Sequence, residues 1–321
     1  MSTDAPLDLE LSPARRRRLP AWATGTRAPT LAVTAAVVAW GCGNVLVKLV
    51  SFEGVVLSLY RLWVGFFVML IAMRLAGLRL TPRALRLALP GGVLFGVNVA
   101  MFFSALKLTS VADATLISAL QPALVFTVAG PWFGERVGLR EVCWTAAALA
   151  GVVIVVLASA GTPEWSPLGD LLAVGAVVTF TGYFLVSKRV RESLGAVEYV
   201  AAMQLVAAVV VTPIALVSRE HLAIGSPVDW LWLMLIVCVS GIGGHLLVNW
   251  AHRYVDVSIS SLMMLGVPVV GAVAAWLVLD ESLGPLQVVG GLITLASLAA
   301  VVRRRETSRA AAPFEAVGGG G

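Results

Sequence analysis

The chain has 321 residues, of which 59% are hydrophobic and 13% charged, and its net charge is +5. Soluble domains average about 45–50% apolar and about 25% charged residues, so a water-soluble fold is excluded and an integral membrane protein is implied. The basic excess does not point to nucleic acid, because almost all of it lies between the apolar runs or beyond them.

A helix needs roughly 20 mostly apolar residues to cross the hydrocarbon, and it is the one open-ended structure that satisfies its own backbone there. Ten such runs are predicted, at residues 31–50, 55–75, 85–106, 111–133, 139–160, 168–186, 197–217, 230–251, 257–279 and 285–302. Before the first lies a polar tail, residues 1–30, with Arg15, Arg16, Arg17 and Arg18. No small-residue cleavage site follows it, so no removed leader is expected. After the last run, residues 303–321 read as a disordered tail ending in four glycines. Cys42, Cys143 and Cys238 each sit alone inside a run, which suggests neither a disulfide framework nor a thiolate metal site. No cofactor is expected.

Charge sets the topology. Nineteen of the 23 Lys and Arg residues fall in the tails and the even-numbered loops; the opposite loops hold only Lys107 and Arg219, and Lys48 and Arg61 lie within runs. The positive-inside rule therefore predicts a multi-pass plasma-membrane protein with both termini cytoplasmic, as an even number of spans requires.

The chain also repeats itself. Residues 111–138 lie over 257–284 at an offset of 146, placing Pro122 on Pro268, Glu135 on Glu281 and Gly138 on Gly284. Earlier in each half, residues 36–48 lie over 176–188, pairing Trp40 with Phe180 and Lys48 with Lys188. Punctuation that recurs at fixed spacing marks a duplicated architecture. Because each copy holds five spans, the second must be inverted relative to the first. Two five-helix units are expected, at residues 31–160 and 168–302. Inverted repeats are the mark of alternating-access carriers, whose substrate lies near the midplane between the halves.

At these residues the chain resembles a known family. The pattern WGxxNxxxK over Trp40 to Lys48, Arg61 early in the second span, the run Ala105 to Ser110, Pro122, and Gly134-Glu135-Arg136 together resemble the EamA-type branch of the drug/metabolite transporter superfamily. That resemblance implies an all-α membrane protein of ten transmembrane helices. They form two inverted repeats around a central cavity, lined mainly by the first four spans of each repeat. It also implies transport of small metabolites, amino acids among them. The second copy departs from the first: Phe184 replaces Asn44, and Gln204 stands near the place of Arg61.

The candidate substrate-binding or gating residues follow from what a span tolerates. Pro122 and Pro268 each remove a backbone donor and loosen their helices near the midplane, serving as hinges or as ordinary membrane prolines. Arg61 must face protein or water and needs a partner, either Glu53 or a substrate carboxylate. Lys48, near its helix end, can snorkel to the interface instead. Asn44, Asn98, Gln121, Gln204, His245 and Asn249 are polar groups that bond between helices or line a cavity. His245 and Asn249 share a helix face, and His245 is readable as a proton-responsive group rather than a metal ligand. Trp40, Tyr183 and Phe180 either wall a cavity for apolar side chains or simply pack.

No Asp or Glu falls in the interior of a span, those present lying at span ends, and no GxxxxGK[ST] loop is present, so neither a carboxylate proton relay nor ATP-driven transport is legible. The leading expectation is a secondary carrier with the bilayer and a small-molecule substrate as partners, coupled to protons, to a counter-substrate or to neither. An integral membrane enzyme acting on lipids or lipid-linked substrates is the alternative, but the clustered acids or His/Glu sets it would carry in its loops are not seen. In a background lacking Cys42, Cys143 and Cys238, single cysteines at Gly138 and Gly284 are expected to react with an impermeant maleimide from opposite membrane faces. Labelling from one face would refute the inversion.

Overall fold

The computed structural model describes residues 27–109, 111–135, 138–159, 166–218, 222, 225–280 and 283–311; among these there are helices and no strand. Ser110, Arg136, Glu281 and the arginines at 15–18 lie outside the described residues. The spans are α1 (Arg27–Lys48), α2 (Gly54–Leu75), α3 (Pro82–Leu108), α4 (Val111–Ser118 and Gln121–Phe133) and α5 (Leu139–Ser159). The second half has α6 (Pro167–Val190), α7 (Ala196–Val217), α8 (Pro227–Ala251), α9 (Val257–Met263 and Gly266–Leu279) and α10 (Pro285–Ala311). Ten of these segments are long and apolar enough to cross a membrane.

Helix starts follow local chemistry that the two halves share. Thr81 caps α3 by accepting from the Ala84 amide, with Pro82 in the first turn; Ser226 caps α8 by accepting from Asp229, with Pro227 in the same place. Proline there loses an amide that has no intrahelical partner in any case. Gly134 ends α4 with φ 66°, and Asp280, 146 residues on, ends α9 with φ 54°. A left-handed cap closes both helices, and aspartate is among the few side chains that tolerate it. At the other end of the chain α10 runs on to Ala311, past the expected boundary at 302. A run of Arg, Glu and Ala favours helix even outside hydrocarbon.

The packing has an internal twofold. Helix α1 lies against α8 as α6 lies against α3; α1 meets α9 as α6 meets α4; α2 meets α8 as α7 meets α3. Three pairs are their own mates, α2 with α7, α4 with α9 and α5 with α10. Residues related by the duplication therefore touch. Thr294 Oγ1 donates to the Ala148 carbonyl at 3.2 Å, a separation of 146 residues. The chain is thus two inverted five-helix repeats, as its sequence led one to expect.

Glycines allow the closest approaches. A Cβ on Gly96 would lie 2.9 Å from the Ala207 carbonyl oxygen, so the Gly92/Gly96 pair packs α3 onto α7 within the chain. Gly134, by contrast, serves as the cap of α4. Between α5 and α10, a Cβ on Gly151 would sit 2.6 Å from the Gly290 carbonyl oxygen and 2.8 Å from the Thr294 nitrogen. Both are backbone atoms that cannot turn aside, and overpacking of this kind costs about 1–3 kcal/mol. Gly151→Leu is accordingly expected to lower the unfolding midpoint of the detergent-solubilised protein by several degrees; an unchanged midpoint would show that α5 and α10 are free to separate.

Candidate functional site

Both fourth spans of the repeats are broken. In α4 the helix is interrupted at Ala119 and Leu120, and in α9 at Met264 and Leu265. The amides of Ala119 and Leu120 donate to the carbonyls of Leu116 and Ile117, each at 3.1 Å, and Met264 and Leu265 repeat the pattern onto Ser261 and Leu262. These i to i−3 bonds tighten the chain locally. Two to four residues on, Pro122 and Pro268 offer no amide, so the carbonyl one turn back loses its ordinary donor.

The breaks open onto a cavity of about 150 Å³. Trp40, Gly43, Asn44 and Val47 come to it from α1, Arg61 from α2, and Phe95, Asn98, Val99, Phe102 and Phe103 from α3. The breaks contribute Ser118, Ala119, Gln121 and Pro122 on one side and Met264, Leu265, Val267 and Pro268 on the other; α6 and α8 supply Ala176, Val177, Phe180, Ser240 and His245. The twofold passes through this group. Trp40 and Phe180, equivalent in the two repeats, meet edge to face with centroids 5.9 Å apart.

Nine of the thirteen residues singled out in the sequence thus share one cavity: Trp40, Asn44, Arg61, Asn98, Gln121, Pro122, Phe180, His245 and Pro268. Tyr183 and Asn249 sit directly behind His245. Gln204 does not reach it: α7 packs against α2, where the Gln204 amide fills the space left by Gly65. Lys48 ends α1 on the exposed surface, away from the lining. The aromatic side chains Phe95, Phe102 and Phe103 were not anticipated. Their only signal is that Phe95, Val99 and Phe102 recur at helical spacing around Asn98, the polar residue of that face.

Local structure holds the polar groups in place. The Asn249 amide donates to the Tyr183 hydroxyl at 2.8 Å and to the His245 carbonyl at 2.8 Å. Tyr183 Oη lies 3.0 Å from His245 Nδ1. A phenol that already accepts from Asn249 has one proton to give, so the arrangement that pairs this proton has Tyr183 donating to Nδ1 and the ring proton on Nε2. His245 is also packed edge to face on Phe95, with centroids 4.6 Å apart. Asn98 donates to the Ala176 carbonyl at 2.9 Å, which ties α3 to α6. Just past the end of α6, Arg191 Nε donates to the Asn249 carbonyl at 2.7 Å. Burial, with Arg253 alongside, lowers the Arg191 guanidinium to about 10, so it stays cationic at neutral pH.

Part of α8, Ile236–Gly244, is wound as a π-helix, a form concentrated at functional sites. Its residues fit around α1. The Trp40 indole donates to the Ser240 carbonyl at 2.9 Å, and Gly244 makes room for the indole itself. Arg61 is 7% exposed. A buried arginine costs about 2.5–3.5 kcal/mol on insertion scales, yet it makes no hydrogen bond or ion pair among the described residues. Glu53 stands exposed, apart from it. The guanidinium lies 5.3 Å from the Phe103 ring centroid and 5.9 Å from that of Phe95. At one end of the bundle the Glu135 carboxylate spans the repeats, accepting from the Val257 and Ser258 amides at 2.7 and 2.9 Å.

A membrane-embedded cavity between inverted repeats, bounded by two broken helices, is the architecture of a transporter. The sequence model of the EamA-like transporter family matches residues 28–157 and again residues 167–303. The chain belongs to that family, and is a membrane transporter rather than an enzyme. Over 102 residues it is 36% identical to the aromatic amino acid exporter YddG of Ancylobacter novellus, a stretch covering 30% of this chain and 35% of that one. The match therefore spans about a third of the relative's length. A solved structure described only as "Crystal structure of protein" shares the fold, with a TM-score of 0.74 over 87% of this chain and 99% of its own, at 19% identity.

Tyr183→Phe removes the donor to a buried imidazole nitrogen and the acceptor of Asn249, a loss of about 1–3 kcal/mol for each group left unpaired. The variant is expected to fold and to unfold at a lower temperature than the parent in detergent; an unshifted transition would mean that the tyrosine contributes no stability through these bonds.

Proposed function

We propose that this protein is a secondary carrier that exports or exchanges amino acids across the plasma membrane by opening its midplane cavity to either side in turn. The observation that carries this reading is the position of the cavity on the pseudo-twofold axis. Both helices that break beside it are related by that axis, so a movement available to one repeat is available to the other in the opposite sense. Trp40, Asn44, Asn98, Gln121 and His245 are the proposed solute contacts, with Pro122 and Pro268 at the hinges. Tyr183 and Asn249 act through His245. Both termini are cytoplasmic in this reading, in keeping with the bias of Lys and Arg toward their side. The aromatic side chains Trp40, Phe95, Phe102 and Phe180 suit an apolar or aromatic solute body, and the partial similarity to an aromatic amino acid exporter supports the same class.

Purified protein in liposomes preloaded with unlabelled leucine or phenylalanine should accumulate the labelled amino acid from outside. Ala119→Trp, which places an indole inside the cavity, should bring that counterflow to the level of empty liposomes. Equal counterflow in the variant would move the pathway away from this cavity; no counterflow by the parent with any amino acid would remove amino acids as the cargo.

A further inference from the structure

The cavity carries one fixed positive charge and, among the described lining residues, no carboxylate to balance it. That charge is Arg61, 93% removed from solvent by its 7% exposure. Its Nε is fully buried with no acceptor, and so is Nε2 of Gln121, on a residue 2% exposed. Arg61 and Gln121, from α2 and α4, thus line the same space, and each carries a buried nitrogen without an acceptor among the described residues. Buried donors are ordinarily paired, and a desolvated guanidinium recovers only part of its hydration from aromatic faces such as Phe103 and Phe95. The chemistry that matches a guanidinium in a cavity without a carboxylate is a solute that brings oxygen acceptors and a negative charge. The planar fork of arginine matches a carboxylate two bonds at a time.

The structure points to a specific division of labour, resting on the carrier reading above: we propose that Arg61 is the anchor for the carboxylate of the transported solute, and that the selected class is small monocarboxylates with an apolar body. The cavity volume of about 150 Å³ limits that body, since an apolar cavity of about this size in another protein holds benzene. An isobutyl or benzyl body fits and a polycyclic one does not. For an α-ammonium group the lining offers only neutral acceptors. Asn98 spends an amide proton on Ala176 and keeps its oxygen, and Asn44 adds a second amide. Recognition therefore weighs the carboxylate above the ammonium group.

The test measures thermal stabilisation of the detergent-purified protein, and inhibition of counterflow, by one set of analogues: phenylalanine, its primary amide, phenethylamine and 3-phenylpropanoate. The wild type is expected to respond to phenylalanine and 3-phenylpropanoate and to lose at least about tenfold in apparent affinity for the amide and the amine, the scale of one charge-assisted pair. Arg61→Gln should bring acid and amide to equal affinity, and Arg61→Lys should keep the preference for the acid at reduced strength. If Arg61→Gln does not fold, the lysine variant and the wild-type series decide. Equal binding of acid and amide by the wild type overturns the anchor, as does an unchanged preference in Arg61→Gln. A wild type that binds the acids selectively but moves none of them upholds the anchor and refutes the transport reading.

Discussion

Within hydrocarbon a polar atom has only protein to bond to, and each one left unsatisfied costs several kcal/mol. The interior of this molecule is arranged around that constraint. Ser58 donates to the Gly54 and Val99 carbonyls, Trp63 to Thr212, and Asn98 to Ala176. Tyr183, His245 and Asn249 close on one another. These bonds bind α2 to α3 and α7, and α3 to α6, and they fix the helices that enclose the cavity. Lipid supplies no hydrophobic drive for helices to associate, so such contacts and close glycine packing carry the assembly. Arg61 and Gln121 are among the residues that keep a buried nitrogen without an acceptor among the described residues, and both lie at the cavity itself.

The two broken helices give the fold its capacity to differ between halves. In an unbroken span every amide is committed to the carbonyl one turn back. At Ala119 and Leu120, and again at Met264 and Leu265, the ladder shortens to i−3 bonds. Proline then prevents its repair. The π-helical stretch of α8 has no counterpart in α3, which is α-helical throughout Pro82–Leu108. Of its three glycines, Gly244 admits the Trp40 indole to a distance that a side chain would prevent, and Gly241 lies beside the Arg61 guanidinium. The sequence of one half thus reshapes its third span to receive the side chains of the other.

How much of this was legible follows the kind of signal each feature leaves. Apolar runs bounded by charge reveal spans, and Pro122 with Pro268 and the bias of Lys and Arg reveal the inversion, because each leaves a mark in one dimension. Polar residues within spans are equally visible, and most of them do meet at the cavity. Gln204 shows the limit: an amide buried against Gly65 between α2 and α7 reads in the sequence like one facing a cavity, and sequence cannot separate the two. Phe95, Phe102 and Phe103 were hidden for the converse reason, since a phenylalanine toward lipid and one toward a cavity read alike. The π-helix was hidden because three glycines in a span equally suit close helix packing, and the indole that bonds its Ser240 carbonyl, Trp40, lies 200 residues away in the chain.

Duplication about an axis carries an obligation at the axis itself. Trp40 faces its own counterpart Phe180, and Thr294 faces Ala148. Two copies of a bulky residue cannot occupy a single volume, and two guanidiniums at that depth would repel with little water between them. The halves must therefore diverge where they meet, while remaining alike farther out. A molecule lodged at the centre finds cationic and aromatic surroundings toward α2 and α3 and an imidazole toward α8, so a nearly symmetric frame still gives its occupant a head and a tail.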